Sequence, residues 1–324
     1  MKNNIELAEI GKKLLEAENI LIFPHVNPDG DAIGSTVALC LELRQKGKKS
    51  WVYSKGQHPN YLNFLRTDVI AENLKGIGTP DVCIALDCSS GDRLKERMET
   101  YEKCETRLCI DHHENEDGFG QHYYIDEDAA ATCQLIYSLL ETMDVDFEKD
   151  IANALYTGLS TDTRNFLHDN TTPEVHRIAA DLMDMKVDHN RIMVALYQNR
   201  SLKKILCEAR ALEKIEFIAG GKGAVTWLSK AEMESNGWIK EHADEVIDAI
   251  RIIEGVEMAA YLEERSDGIK ASMRSKTDTT VLPICQKYDG GGHEKASGCT
   301  MHMTMEEAIE AITGDIEEAL KDFK

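Results

Sequence analysis

Short apolar runs alternate with helical patterns along the first half of the chain, and no other feature constrains the fold as strongly. The runs NILIFP, KSWVYS, DVCIALD and TRLCID are each bounded by Gly, Pro or charged residues, as buried strands are. Helical patterns separate them, beginning with residues 5–15 and then with GDAIGSTVALCLELRQKG. Because strands joined through helices pair in parallel and are covered on both faces, the sequence predicts a mostly parallel α/β sheet.

The second half of the chain predicts a separate, smaller domain. From about residue 129 the pattern is mainly helical, and it changes again after a helix predicted at 201–214. IEFIAG, GAVTWLS, EMAAYLEE and GIKASMRS are then typical of strands, with helices predicted near 243–252 and 305–321. We therefore expect a first α/β domain at 1–190, a helical linker at 191–212 and a smaller α/β domain at 213–324.

The charge of the chain limits the substrates that it can bind. Asp and Glu total 58 against 37 Lys and Arg, for a formal net charge of −21. Proteins that bind long DNA or RNA usually present a basic face to the phosphates, so we expect no such partner. A small anion can still be drawn into a local pocket of metal ions and a few cationic side chains.

Two further features concern the compartment. No apolar run approaches the roughly 20 residues of a membrane span, and the N-terminal segment is amphipathic rather than a secretory signal. The nine cysteines form no C-x-x-C pair, which favours buried, reduced thiols. We expect a cytoplasmic protein without a membrane partner.

Acidic and histidine residues cluster where the predicted strands end. The clusters are His25, Asp29 and Asp31 after the strand NILIFP, Asp87 at the end of VCIALD, Asp111-His112-His113 at the end of RLCID, and Asp162 in the helical stretch GLSTDT. Ligand sites of open α/β sheets form outside the carboxyl ends of the strands. An aspartate at a strand end is common turn chemistry when taken alone. The joint placement of four clusters favours one functional site.

These residue types suit a divalent metal. Carboxylates and imidazoles without thiolates fit a hard to borderline ion such as Mn²⁺ better than a structural zinc. There are enough ligands for two ions if one carboxylate bridges them. Two such ions can activate a water and bind both the entering and the leaving oxygen of a phosphoryl transfer.

The clusters resemble the motifs of the DHH phosphoesterase superfamily, which is named for the triplet at residues 111–113. His25, Asp29 and Asp31 match its first motif, Asp87 its second and Asp162 its fourth. The run GGGHEKASG at 290–298 is similar to the glycine-rich motif of the DHH-associated domain, and SMRS at 272–275 to its arginine segment. The resemblance spans essentially the whole chain, and it implies a parallel-sheet catalytic domain joined by a helical linker to a smaller α/β DHH-associated domain.

The resemblance also implies roles for individual residues. His25, Asp29 and Asp87 would hold one Mn²⁺, and Asp31, Asp87, His112 and Asp162 the other, with Mg²⁺ or Co²⁺ as possible substitutes. His113 would contact the scissile phosphate or assist the leaving oxygen, and Asp111 would orient a histidine. The residues implied in substrate binding are Arg274, Gly291, Gly292 and His293.

The activity that this resemblance implies is hydrolysis of very short RNA to mononucleotides and of 3′-phosphoadenosine 5′-phosphate to AMP. Hydrolysis of cyclic dinucleotides or their linear products on the same scaffold is the first alternative, and a nucleotide sensor without catalysis is the second. A homodimer is implied by resemblance only. Many relatives carry glycine at the position of Arg164, so its role stays open.

Overall fold

The computed structural model describes residues 3–56, 58–88, 90–113, 119–143, 148–321 and 323. It divides into two compact units, which we call unit 1 (residues 1–199) and unit 2 (residues 200–324). Each unit is an α/β structure with its own six-stranded sheet. The predicted fold class is thereby confirmed.

Every strand pair in the unit 1 sheet is parallel. The spatial order is β3-β2-β1-β4-β5-β6, so that the strands ending at the first three predicted clusters are neighbours in the centre of the sheet. The strand bounds are β1 Asn19–Phe23, β2 Lys49–Tyr53, β3 Ile70–Ala71, β4 Val82–Leu86, β5 Thr106–Asp111 and β6 His122–Ile125.

Helices cover both faces of this sheet. Along β1, Ile20 and Ile22 pack into the larger core, whereas Leu21 and Phe23 pack into a smaller core on the opposite face. This strict alternation is what a strand buried on both faces requires. The helix bounds are α1 Leu7–Glu16, α2 Gly30–Gln45, α3 Met98–Glu102, α4 Thr132–Thr142, α5 Lys149–Asp162, α6 Pro173–Asp184 and α7 His189–Tyr197.

The α2 and α5 helices approach each other closely because glycines line their contact. A Cβ atom on Gly34 of α2 would lie 2.5 Å from the Ala154 carbonyl oxygen of α5. A Cβ atom on Gly158 of α5 would overlap Cys133 Sγ and lie 2.6 Å from Asp31 Oδ1. The missing side chains let the backbones meet beside Asp31, which lies in the first turn of α2.

Unit 2 contains a mixed sheet in the order β11-β12-β10-β9-β8-β7, in which only the β8–β9 pair is parallel. Its strands are β7 Glu216–Ile218, β8 Gly223–Leu228, β9 Met258–Arg265, β10 Gly268–Ser275, β11 Gly291–His293 and β12 Ala296–Met301. Its helices are α8 Leu202–Leu212, α9 Lys230–Ser235, α10 Lys240–Ala243, α11 Val246–Arg251, α12 Leu282–Gln286 and α13 Met305–Leu320.

Two cores hold unit 2 together. The α13 helix buries Ala308, Ile312, Ile316 and Leu320 at four-residue intervals against one of them. The α8 helix contributes Cys207 and Ala211 to the other, together with apolar residues of α11. The residues at 202–212 therefore pack as part of unit 2.

Two further observations concern the cysteines and the helices. All nine cysteines are free and buried, as their spacing predicts. Among the described residues, none of the helices combines the length and the apolar character that a membrane span requires.

Candidate metal centre

The predicted ligands that follow β1 and β4 meet at the carboxyl edge of the unit 1 sheet. His25 lies two residues beyond β1, and its Nε2 atom is 3.5 Å from Asp87 Oδ2 and 3.7 Å from Asp29 Oδ2. Asp29 is also the N-cap of α2, where one carboxylate oxygen accepts hydrogen bonds from the amides of Asp31 and Ala32. These three side chains form a first group whose ligand atoms all lie within 4.8 Å of one another.

A second group brings together residues from three elements. His112 directly follows β5, and its Nε2 atom is 3.2 Å from Asp162 Oδ2, at the end of α5, and 3.9 Å from Asp31 Oδ2. The His112 Nδ1 atom hydrogen-bonds to the Ala129 carbonyl oxygen at 3.2 Å, which turns Nε2 toward the carboxylates. Together, Asp31, His112 and Asp162 could hold a metal ion.

The Asp87 carboxylate lies between these two groups. Its Oδ2 atom faces His25, whereas its Oδ1 atom is 3.6 Å from His112 Nε2 and 3.4 Å from His113 Nδ1. Asp87 also has a positive φ of 57°, a conformation uncommon for residues other than glycine and often found at functional sites. One carboxylate can therefore serve two neighbouring ions.

Asp111 orients the last residue of the triplet. It is fully buried, and its Oδ1 atom accepts hydrogen bonds from the His112 and His113 amides and is 2.9 Å from His113 Nδ1. The imidazole of His113 is 28% exposed. Because the contact to Asp111 uses Nδ1, Nε2 is the ring nitrogen that a substrate can reach.

The protein alone does not balance the charges of this cluster. Burial first, and the neighbouring carboxylates second, raise the pKa of Asp31 and of Asp87 to about 7. Burial also raises the pKa of Asp162 to about 6, against the opposing effect of its hydrogen bond with His112. Burial lowers the pKa of His112, but Asp162, Asp31 and Asp87 outweigh it and raise that pKa to about 10.

A divalent ion fits this arrangement of side chains. The His112 Nε2 atom is buried without a hydrogen-bond partner in the described part of the chain, although three carboxylates surround it. A cation there would accept the nitrogen lone pair and offset the repulsion among the carboxylates. The site can therefore hold metal.

Comparison with known proteins shows the family. A model of the DHH family, N-terminal domain, matches residues 19–159, and a model of the DHHA1 domain matches residues 220–322. The bifunctional oligoribonuclease and PAP phosphatase NrnA of Thermus thermophilus is 31% identical over 305 residues, which are 93% of this chain and 90% of that protein. The chain belongs to the DHH family. DHH phosphoesterases hydrolyse phosphoester bonds, so this chain is a phosphoester hydrolase.

Two further similarities extend over the full length. The bifunctional oligoribonuclease and PAP phosphatase NrnA of Bacillus subtilis is 26% identical and covers 95% of this chain and 96% of its own. The crystal structure of an exopolyphosphatase-related protein from Bacteroides fragilis has a TM-score of 0.90 at 25% identity and covers 98% of both chains. These similarities therefore extend over both the DHH and the DHHA1 regions of this chain.

The DHHA1 domain places its predicted substrate residues on one face of the unit 2 sheet. Arg274 on β10 pairs with Ala296 on β12, which in turn pairs with His293 on β11. Side chains of directly paired residues lie on the same face, so Arg274 and His293 flank the small Ala296 at a separation of about 10 Å. In the next row, Gly298 and Gly291 carry no side chains, and the Lys270 ammonium group lies beside Gly298.

The glycine run that contains Gly291 and Gly292 forms an edge strand. Gly292 has a positive φ of 137°, and a Cβ atom there would lie 2.5 Å from the Ala296 carbonyl oxygen. Only glycine fits at this position without strain.

The turn after Asp162 contains contacts that the sequence did not reveal. Arg164, Asn165 and Phe166 all have positive φ angles, and they reverse the chain directly after the last residue of α5. Asn170 then donates hydrogen bonds from Nδ2 to the carbonyl oxygens of Asp162 and Ala130. The residues NTTP at 170–173 predict only a turn and a helix start. The one sequence feature that could have indicated these contacts is the amide side chain of Asn170, which comes shortly after the predicted ligand Asp162.

Proposed function

We propose that this chain is a Mn²⁺-dependent phosphoesterase that hydrolyses very short RNA, down to dinucleotides, to mononucleotides, and 3′-phosphoadenosine 5′-phosphate to AMP. The observation that carries the proposal is the position of Asp87, whose two oxygens face two different ligand groups. The substrate class is supported by the two relatives, each of which is named an oligoribonuclease and PAP phosphatase.

The ligand groups define which residues would hold each ion. In this proposal His25, Asp29 and Asp87 bind one Mn²⁺, and Asp31, Asp87, His112 and Asp162 bind the other. When bound, the two ions supply positive charge for the phosphate oxygens and acidify water for attack at phosphorus. Mg²⁺ or Co²⁺ would bind the same oxygen and nitrogen donors.

His113 acts in this proposal as the proton donor to the leaving oxygen. Burial lowers the pKa of the imidazole, but the hydrogen bond and the charge of Asp111 outweigh it, so the pKa of His113 is raised above its ordinary value, in the direction that a proton donor requires. Asp111 holds the ring by Nδ1, so the proton is transferred from Nε2. Asp111 is thus a positioning residue for His113.

We propose that the DHHA1 domain binds the part of the substrate that does not react. The guanidinium of Arg274 can bind a phosphate through two parallel hydrogen bonds, and His293 can contact a base or a second phosphate. The small Ala296 between them leaves room for a planar group to approach the sheet. Contacts limited to this small face, within a chain of net charge −21, would favour substrates of a few nucleotides over long RNA.

The proposed substrates also define the partners and the compartment that we propose. We propose that the enzyme acts in the cytoplasm on short oligoribonucleotides and small nucleotides. Nine free cysteines suit that reducing compartment.

A matched substrate panel tests the proposed function. Product formation with Mn²⁺ would be measured on a ribodinucleotide, an RNA of about 24 nucleotides, 3′-phosphoadenosine 5′-phosphate and cyclic di-AMP. We expect rapid cleavage of the dinucleotide and of the monoester, and slow cleavage of the longer RNA. Preference for the cyclic compound would instead assign the enzyme to cyclic dinucleotides. Metal binding without turnover of any substrate would support a nucleotide sensor without catalysis.

A further inference from the structure

Three of the five residues at 129–133, where α4 begins, form hydrogen bonds with ligands of the second group. We call residues 129–133 the α4 entry segment. The Ala129 carbonyl oxygen contacts His112 Nδ1, and the Ala130 carbonyl oxygen is joined through Asn170 to the backbone of Asp162. A segment that touches so many ligands is suited to fix their relative positions.

The amides of this segment bind Asp31. The Thr132 and Cys133 N–H groups donate to its two carboxylate oxygens at 2.6 and 2.9 Å. The first N–H groups of a helix have no partner within the helix, and Ala131 at the N-cap has no side chain that could cap them. Asp31 on α2 therefore caps α4 from outside, and the helix dipole favours its ionised form.

The hydroxyl of Thr132 reaches the carboxylate that the two groups share. Thr132 is fully buried, and its Oγ1 atom donates a hydrogen bond to Asp87 Oδ1 at 3.3 Å. Oδ1 is the oxygen that faces His112, whereas Oδ2 faces His25. The hydrogen bond from Thr132 therefore reaches the carboxylate oxygen that faces the second group, and not the oxygen that faces the first group.

We propose that Thr132 is a positioning residue that holds Asp87 Oδ1 toward the His112 group and thereby sets the affinity for the ion bound there. This inference rests on the two-ion centre of the proposed function. Without the hydroxyl, Asp87 Oδ1 loses the hydrogen bond from Thr132 Oγ1, and the carboxylate can rotate. Loss of an outer hydrogen bond to a metal ligand typically weakens metal binding about 10- to 100-fold.

The test is a Mn²⁺ titration of the full chain by isothermal calorimetry, with bound ions counted by electron paramagnetic resonance. Two pairs of proteins differ by the hydroxyl alone: the wild type against Thr132→Val, and Thr132→Ser against Thr132→Ala. The second pair leaves the same small cavity, so it remains informative if valine does not fit. Thr157→Val is the matched control, because among the described residues that buried hydroxyl bonds only to the Asn153 carbonyl oxygen of its own helix.

In each pair we expect the protein without the hydroxyl to bind one of its two Mn²⁺ ions about 10- to 100-fold more weakly, and the other as before. Thr157→Val should bind both ions like the wild type. The inference is overturned if neither pair differs, if Thr132→Ser is as weak as Thr132→Ala, or if both ions weaken equally. A wild-type chain that binds no Mn²⁺ would instead contradict the proposed function itself.

Discussion

The two oxygens of the Asp87 carboxylate face different histidines, so one substitution removes a ligand from both groups. We expect Asp87→Ala to lose turnover on every substrate by about 10³-fold or more, because several kcal/mol of electrostatic stabilisation depend on the ions. The variant should stay folded. In the wild type, the pKa of Asp87 is about 7, which lies above the value in the unfolded chain. The ionised carboxylate therefore destabilises the metal-free protein at neutral pH, and its removal should not unfold the variant.

This prediction is checked by steady-state kinetics on the dinucleotide and on 3′-phosphoadenosine 5′-phosphate, together with the Mn²⁺ content. Asp184→Ala is the control, since Asp184 is exposed at the end of α6 and belongs to none of the ligand groups. Activity of Asp87→Ala close to that of the wild type would exclude a bridging carboxylate.

Arg274 tests the substrate face of unit 2. We expect Arg274→Ala to raise KM for nucleotide substrates about 10-fold or more, because a charge-assisted phosphate contact is lost. A small artificial phosphate ester that lacks a second nucleotide should be hydrolysed almost as before. Arg177→Ala removes a cation from an exposed ion pair on α6 and should change neither value. Equal losses on both substrates would contradict a binding role.

The candidate ligands could be predicted from their residue types and positions in the sequence. The atoms that hold these ligands in place could not. His25, Asp87 and His112 are chemically distinctive and follow predicted strands. The contacts of His112 to the Ala129 carbonyl oxygen, and of Asp31 to two amides, involve main-chain atoms that every residue possesses. Such contacts leave no signature in a single sequence, and Thr132 simply resembles the start of an amphipathic helix.

At the scale of elements, the packing of α2 against α5 brings Asp31 and Asp162 together. We expect Gly158→Ala to destabilise the protein by about 1–3 kcal/mol, because the added methyl group would overlap Cys133 Sγ and press on Asp31. Metal affinity should fall with it. Urea denaturation, with Mn²⁺ titration, measures both effects.

A second helical glycine provides the control of opposite sign. Gly314 lies in α13, and a Cβ atom there would have no heavy atom within 4 Å. Gly314→Ala should therefore stabilise unit 2 by up to about 1 kcal/mol through helix propensity alone. If both alanine variants were equally stable, close contact between α2 and α5 would not explain the position of Asp31.

The sequence predicted the strands with apolar runs, including the short edge strand β7, but not the edge strands β3, β6 and β11. The runs at 106–111 and 268–275 coincide with β5 and β10. By contrast, β3 has two residues and β6 has four, which is too short for a periodic signal. The residue types of the glycine run at 290–292 do not predict a strand. It forms an edge strand because β12 supplies backbone partners that local propensity does not show.

For the whole molecule, the buried charges predict how stability depends on pH. The pKa values of Asp31 and Asp87, about 7, exceed their unfolded values of about 4, so both groups destabilise the metal-free fold as the pH rises from about 4 to about 7. The pKa of His112 is raised to about 10, and its stabilising contribution is present below about pH 6.5 and lost toward pH 10. Both effects lower the stability of the metal-free protein as the pH rises.

Metal ions should reverse this trend, since they replace the protons on the same ligands. We expect saturating Mn²⁺ to raise Tm more at about pH 8 than at about pH 5, where protons compete for the carboxylates. Differential scanning fluorimetry with and without Mn²⁺ measures the shift. Asp87→Ala should show a smaller Mn²⁺ effect at the higher pH. A shift of the same size at both pH values would indicate that the ions bind elsewhere.

The order of the strands also has a consequence for association with other chains. In the described part of the protein, both sheets end in their short strands, β3 with two residues, β6 with four, and β7 and β11 with three each. The eight-residue strands β9 and β10 lie inside the sheet, where their backbone groups are already paired. Few unpaired amides and carbonyls are thus presented to a foreign strand, which protects both sheets from edge-to-edge aggregation.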